Sequence, residues 1–271
     1  MKNLFFDWYA ASVEVSPEKL IEGVWLHYPK ATLELARPRN GFSHADQLVN
    51  PDGSVLCVFM YGRVSQYPFV YSSGLHADNF SSVLRLAFPD HYLVRADVAM
   101  DFDESGAYLS LVKHGLAVAE AVSVTSRYIG PPMAELADSC KVGRTLYLGS
   151  RSSVGMMRLY EKGKKDDPSR PDWCRAEFEF KPKSPDARLF YASASPLQII
   201  SAMKLPRAFF EAIVDLTESA SVRPGTVRRP TDFDRTLLHL KKQYAKVLLQ
   251  LLHDVDFDSD HFVHSLLGDI L

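Results

Sequence analysis

Three short stretches hold the residue types that could do chemistry: 94–102 (VRADVAMDF), 157–162 (MRLYEK) and 173–180 (WCRAEFEF). Each alternates apolar with charged positions, and in an extended strand residues i and i+2 share a face. One face of the first carries Arg95, Asp97, Ala99 and Asp101, and one face of the last carries Trp173, Arg175, Glu177 and Glu179. The middle stretch sets Arg158, Tyr160 and Lys162 opposite Met157 and Leu159. A plain explanation exists, because a one-sided antiparallel sheet turns a polar face to water. Arginine facing a carboxylate across two strands is worth only ~0.2–1 kcal/mol. The combination asks for more. If their two strands are neighbours, Asp97, Asp101, Glu177 and Glu179 repel one another unless a cation joins them. Such hard oxygen donors suit Mg²⁺ or Mn²⁺. With a tyrosine hydroxyl and fixed positive charges beside them, the parts are those of phosphoryl transfer: metal, nucleophile and cationic clamps.

Which elements must position these faces? "NLFFDWYAASVEV" is rich in aromatic and β-branched residues and predicts a strand. Ser16 and Pro17 then open a helix with apolar residues at helical spacing. "ATLELAR", "SVLCVFMYG" and "PFVYSSG" predict strands, 78–90 a helix, 92–103 a strand and 105–122 a helix. The order then repeats through the strands "RTLYLGS", "MMRLYEKG" and "WCRAEFEF", with "GSRSSVG" as a hairpin turn. "VRAD" (94–97) and "CRAE" (174–177) stand at equivalent places in this reading, and Tyr71 stands loosely where Tyr160 does. Asp7 opens the first copy as Asp97 opens the second, so it either joins the site or marks the duplication. The expectation is an α+β fold. Two strand–helix–antiparallel-sheet repeats, about 1–102 and 95–195, form a curved sheet core. Helical spacing dominates afterwards, which sets off a helical C-terminal region at 196–271.

The 271 residues carry a net charge of only −2, so the chain as a whole does not advertise nucleic-acid binding. The distribution is more telling: two basic segments can make a local anion-attracting surface, or can simply be solvated loops. Residues 141–188, which include Lys164 and Lys165, and residues 223–246 each carry net +5. Arg228, Arg229, Lys241 and Lys242 in the second segment suit phosphate contacts to duplex or origin DNA. No apolar run reaches the ~18 residues of a membrane span, and the N-terminus lacks a signal peptide's apolar core. The expectation is a cytoplasmic protein without a membrane partner. Cys57, Cys140 and Cys174 are widely separated and suit reduced thiols.

"GRTLYLGSRSSVGMMRLYEKGKK" followed by "WCRAEFEFKP" resembles the replication initiation factor family, also called the Rep_trans type. Its members are rolling-circle initiators of plasmids, integrative elements and filamentous phages. The motifs are Tyr147 to Arg151 with Ser153, then Arg158 to Lys162, then Arg175 to Glu179, preceded by Arg95, Asp97 and Asp101. The resemblance implies nicking and closing of single-stranded or extruded origin DNA in a bacterial host cell. Tyr160 would attack a phosphodiester, leaving a 5′-phosphotyrosine and a 3′-OH primer. Covalent capture conserves the phosphodiester, so rejoining needs no ATP. Tyrosine is a weak nucleophile at its reference pKa of about 10. A nearby cation (Lys162, Arg158 or the metal) favours the phenolate. Arg151 and Arg175 are candidates for phosphate oxygens, with Lys164 and Lys165 as further DNA contacts. The resemblance also implies host replication machinery such as a helicase as a partner, and a homodimer stays open. No His-x-His occurs, so carboxylate-only metal binding is expected. Two alternatives stand beside this reading: a duplicated DNA-binding module without catalysis, and a nuclease that cuts with water.

Overall fold

The computed structural model describes residues 3–63, 67–131 and 143–214 and a few positions between 216 and 254. The chain forms two units, Met1–Pro224 and Gly225–Leu271. The first half of the first unit runs β1 (Phe5–Ser12), α1 (Pro17–Trp25), β2 (Thr32–Leu35), β3 (His44–Val49), β4 (Val55–Tyr61), β5 (Phe69–Ser73) and α2 (Ala77–Ala87). The second half runs β6 (Tyr92–Phe102), α3 (Ala107–Ala121), β7 (Ser126–Ile129), β8 (Thr145–Leu148) and β9 (Gly155–Tyr160). The short α4 (Gly163–Asp166), β10 (Cys174–Phe180) and α5 (Pro185–Ala192) complete it. Helices α6 (Pro196–Ala202) and α7 (Lys204–Phe210) follow. They begin the helical stretch expected after residue 195, yet they lie within the Met1–Pro224 unit.

The ten strands form one sheet in the order β2-β3-β4-β5-β1-β6-β10-β9-β8-β7, and the paired neighbours are antiparallel. Each half contributes its first strand to the centre and fans the others outward, so the two halves mirror each other about the β1–β6 pair. The α+β duplication expected from the element order is therefore present, with one correction. β6 opens the second half as β1 opens the first, and β10 closes it as β5 does. "VRAD" and "CRAE" lie on β6 and β10, which are neighbours and not counterparts. Their likeness has a physical reason, since both strands bury an apolar face and carry ion-paired charge on the other. Tyr71 on β5 likewise answers to β10. The strand that answers to β9 is β4, which ends on Tyr61.

Helices cover one face of the sheet. Ser-Pro pairs start three of them: Ser16, Ser184 and Ser195 each accept a bond from a backbone N–H in the first turn, and a proline follows at the first helical position. Phe6, Tyr9, Val98, Met157, Leu159, Phe178 and Phe180 are core-facing strand residues with at most 1% exposure. Helix α3 reaches the sheet at Gly115, where a Cβ would lie 2.6 Å from Leu159 Cδ1. Among the described residues no helix is long and apolar enough to cross a membrane. Cys57 and Cys174 are reduced and buried; Cys140 lies outside the described residues.

Under β1, the buried His91 ring donates from Nδ1 to the Phe88 carbonyl (2.7 Å), and Nε2 lies 2.7 Å from the Tyr9 hydroxyl, which donates to the Ala192 carbonyl at 2.9 Å. Burial pushes the ring's pKa down to about 4. The folded value lies below the unfolded one, so the neutral ring's contribution is complete above pH ~6.5 and lost as pH falls toward 4. We expect denaturant unfolding to show roughly 3 kcal/mol of stability lost over that window. His91→Gln should remove most of the dependence.

Candidate active site

Strand pairing lays the polar residues of β6, β10 and β9 in cross-strand rows. Asp97 faces Glu179; Ala99, Glu177, Arg158 and Tyr147 form the next row; Asp101, Arg175, Tyr160 and Thr145 form the third. At β1 the register slips between Phe6 and Trp8, leaving Asp7 without a partner on β6. A bulge of this kind re-aims a side chain. Here it sends Asp7 to the same polar face, with Oδ1 2.5 Å from Arg175 Nη1.

These residues interlock. Tyr160 Oη donates to Glu177 Oε2 at 2.9 Å. Arg158 Nη2 donates to Glu177 Oε1 and, at 3.1 Å, to Asp97 Oδ2. Arg95 grips Asp97 through Nε (2.8 Å) and Nη2 (2.5 Å) and reaches Glu179 at 2.9 Å. Lys181 holds the other Glu179 oxygen at 2.6 Å. Arg175 forks onto Asp101 at 2.6 and 2.7 Å.

The plain explanation of a solvated polar face fails on burial: Asp97 and Glu177 are each 2% exposed, Arg175 4% and Glu179 7%. Desolvating charges costs several kcal/mol per ion, so such a network is weak evidence for stability and better evidence for function. Burial raises the Asp97 carboxyl well above the usual range against the pull of Arg95, and the adjacent Glu177 carboxylate raises it further. Burial pushes the Glu179 carboxyl up too, but Lys181 and Arg95 outweigh it and leave its pKa lowered. Tyr160 is held far above the usual phenol range, by burial first and then by the Glu177 charge, with Arg175 opposing. The phenol is thus fully protonated at rest. Tyr160 and Arg158 also attract each other, so the phenolate-favouring influence comes from Arg175 and Arg158.

Lys162 does not share the face of Arg158 and Tyr160. β9 ends at Tyr160, and Lys162 opens α4, where Nζ bonds Asp166 at 2.6 Å and lies 5.2 Å from the Trp173 ring centroid. The cause is the turn. Gly163 N–H bonds the Trp173 carbonyl at 2.8 Å, so tightly that any Cβ would overlap the Arg170 carbonyl. Lys164 points inward and pairs with Glu161 at 2.9 Å, whereas Lys165 is exposed. Exposed Arg151 lies over the Tyr147 ring, beside Arg158. Arg228, Arg229, Lys241 and Lys242 lie outside the described residues.

The four carboxylates do not converge as one cradle. The register sets Arg175 across from Asp101, and Arg95 with Lys181 holds Glu179; only Asp97 and Glu177 abut. Among the described residues no three His, Cys, Asp or Glu are grouped to hold a metal. Two carboxylates still fit Mg²⁺, which keeps several waters and binds through one or two carboxylates plus substrate phosphate. Sequence reasoning underrated Arg95, Asp7 and Trp173. Their signals were the "VRAD" alternation for Arg95, and for Trp173 a position just ahead of β10 where Arg170 (4.3 Å) and Arg175 (5.8 Å) lie over its ring.

The end of β9 is pinned from behind. Glu161 accepts from Arg144 N (3.0 Å), Nε (2.8 Å) and Nη2 (2.6 Å), with the two side chains 5% and 2% exposed. We expect Glu161→Ala to cost ~3–5 kcal/mol in chemical denaturation, because it strands a buried guanidinium. A loss below ~1 kcal/mol would show the pair to be dispensable.

No curated protein matches the chain. Among solved structures, a rolling circle replication initiator protein from Geobacillus stearothermophilus aligns at a TM-score of 0.48 and 20% identity, covering 67% of this chain and 75% of that one. Residues 92–195, from the first residue of β6 to the cap of α6, match the family described as replication initiation factor, and this segment supplies Tyr160, Arg158, Asp97 and Glu177.

Proposed function

We propose that the protein initiates rolling-circle replication by nicking and rejoining origin DNA, single-stranded or extruded as a hairpin, with Tyr160 as the nucleophile. The observation that carries this reading is the 2.9 Å bond from Tyr160 Oη to Glu177 Oε2, inside a buried, arginine-bound carboxylate pair. Tyr160 Oη attacks phosphorus, the P–O3′ bond breaks, and the 5′ end stays on the tyrosine. Glu177 accepts the phenol proton. The departing 3′ oxygen takes its proton from solvent. The reverse sequence rejoins the strand. Arg158 and Arg175 flank the hydroxyl as partners for phosphate oxygens. Arg158 Nε and Trp173 Nε1 are buried N–H groups with no protein acceptor, which an incoming phosphate would satisfy.

Asp97 and Glu177 are the residues that would hold Mg²⁺ or Mn²⁺, which would stabilise charge building on the scissile phosphate. Charge supports this. Five carboxylates (Asp7, Asp97, Asp101, Glu177, Glu179) face four cations (Arg95, Arg158, Arg175, Lys181), a formal −1 when all are ionised. A divalent cation and one phosphodiester bring that total to zero. We expect the protein to nick supercoiled origin plasmid with Mg²⁺ or Mn²⁺ and to stop when EDTA is added. Origin binding without any nick would favour the non-catalytic module.

A further inference from the structure

We propose that the first half of the sheet carries a track for single-stranded DNA that leads away from Tyr160 and ends in a pocket for one unpaired base. The proposal rests on the nicking reading for its direction and on separate residues for its existence. Two adjoining cavities, of about 670 and 310 Å³, share Asn40, Phe69, Val94 and Arg188 in their walls. The larger falls in the size range of ligand pockets. It is faced by Phe42, Tyr67, Phe69 and Tyr92. Its rings stand in near-parallel pairs, Tyr67 with Tyr92 at 6.3 Å and 13°, and Phe42 with Phe69 at 6.0 Å and 25°. Such rings offer faces and edges for a base, and Asn40 offers hydrogen bonds to its polar edge.

The smaller cavity joins this pocket to the catalytic face. Arg95 lines it, stacks 4.7 Å over Trp8, and holds Asp97 and Glu179 in the site. Charge identifies the occupant. Arg63 and Arg188 line one cavity, Arg95, Lys181, Lys183 and Arg188 the other, and among the described residues no Asp or Glu lines either, although Arg95 and Lys181 also pair with Asp97 and Glu179 behind them. The cations are divided between two joined cavities, which suits successive phosphates of a strand rather than a lone nucleotide. From β9 to β5 the track crosses four strand spacings, ~19 Å at ~4.8 Å each. That is the length of roughly five or six stacked nucleotides at ~3.4 Å. An unpaired base enters such a pocket at the least cost, because no pairing has to be broken.

The test measures fluorescence anisotropy of fluorescein-labelled (dT)₁₂ with the full chain and two variants, Phe42→Ala and Lys183→Glu. Phe42 sits in a loop and Lys183 is exposed, so neither supports the core. Loss of a base–ring contact is worth ~1–3 kcal/mol, so Phe42→Ala should weaken binding about tenfold. Lys183→Glu should weaken it too and flatten the salt dependence by about 0.7 in log–log slope. Adduct formation on a saturating oligonucleotide too short to span the track should be unchanged in both. Wild-type affinity in both variants would overturn the track and leave nicking intact. If the wild type forms no adduct while both variants lose (dT)₁₂ affinity, the nicking reading falls and the track stands.

Discussion

Tyr160→Phe should abolish the covalent protein–DNA adduct while leaving single-strand affinity within about twofold. The substitution removes one oxygen from a partly buried ring whose hydroxyl bonds Glu177 at 2.9 Å. The lost bond removes one donor from Glu177, and Arg158 continues to hold that carboxylate. The fold should therefore survive, and stability should change by only ~1 kcal/mol. The tyrosine at the equivalent place in the first half is held differently. Tyr61, which ends the corresponding strand of the first half, bonds Asp46 at 2.7 Å and has no Arg-x-Tyr frame. A denaturing gel of labelled origin oligonucleotide with each protein reads the result. An adduct of wild-type yield in the phenylalanine variant would remove Tyr160 from the reaction.

The second large effect is expected at Glu177. Glu177→Gln preserves shape and an acceptor oxygen for Tyr160 but cannot take the phenol's proton. It also removes one of the two carboxylates that abut, and with it half of the cation's oxygen set. Loss of a positioned base typically costs 10²–10⁴-fold in rate, or about 3–5 kcal/mol in activation free energy. We expect single-turnover nicking to fall within that range while DNA affinity is kept. Glu179→Gln is the informative partner. Its carboxylate is committed to Arg95 and Lys181, so its nicking rate should drop less than tenfold. Equal losses in both variants would mean that the four carboxylates act as one cradle after all.

The alternation of polar and apolar residues put Arg158 and Tyr160 on one strand face and set Asp97 and Glu177 opposite apolar faces, because a period of two leaves a mark in the residue order. The order of elements exposed the duplication. Pairing leaves no such mark. That Arg175 lies across from Asp101, and so takes that carboxylate out of reach, depends on the β6–β10 register. That β6 and β10 are neighbours follows from a crossover through α3, β7, β8 and β9. Asp7 enters through a bulge that nothing in "FFDWY" announces. Lys162 leaves because the chain turns one residue past Tyr160, where Gly163 packs against backbone. Two strands, β3 and β7, were missed because Asp46, Gln47 and His44 in one and Ser126 and Arg127 in the other dilute the β-forming residues. Both pair with neighbours that supply the apolar partner.

The most direct test is to locate the phosphotyrosine. A single-stranded origin oligonucleotide with a cleavable phosphodiester is incubated with the protein in Mn²⁺ or Mg²⁺, then digested with trypsin and nuclease. Mass spectrometry of the peptides should find a 5′-nucleotide on the fragment Leu159–Lys162 (LYEK), and only when the metal is present. A nucleotide on any other tyrosine, or cleaved DNA with no modified peptide, would contradict the account.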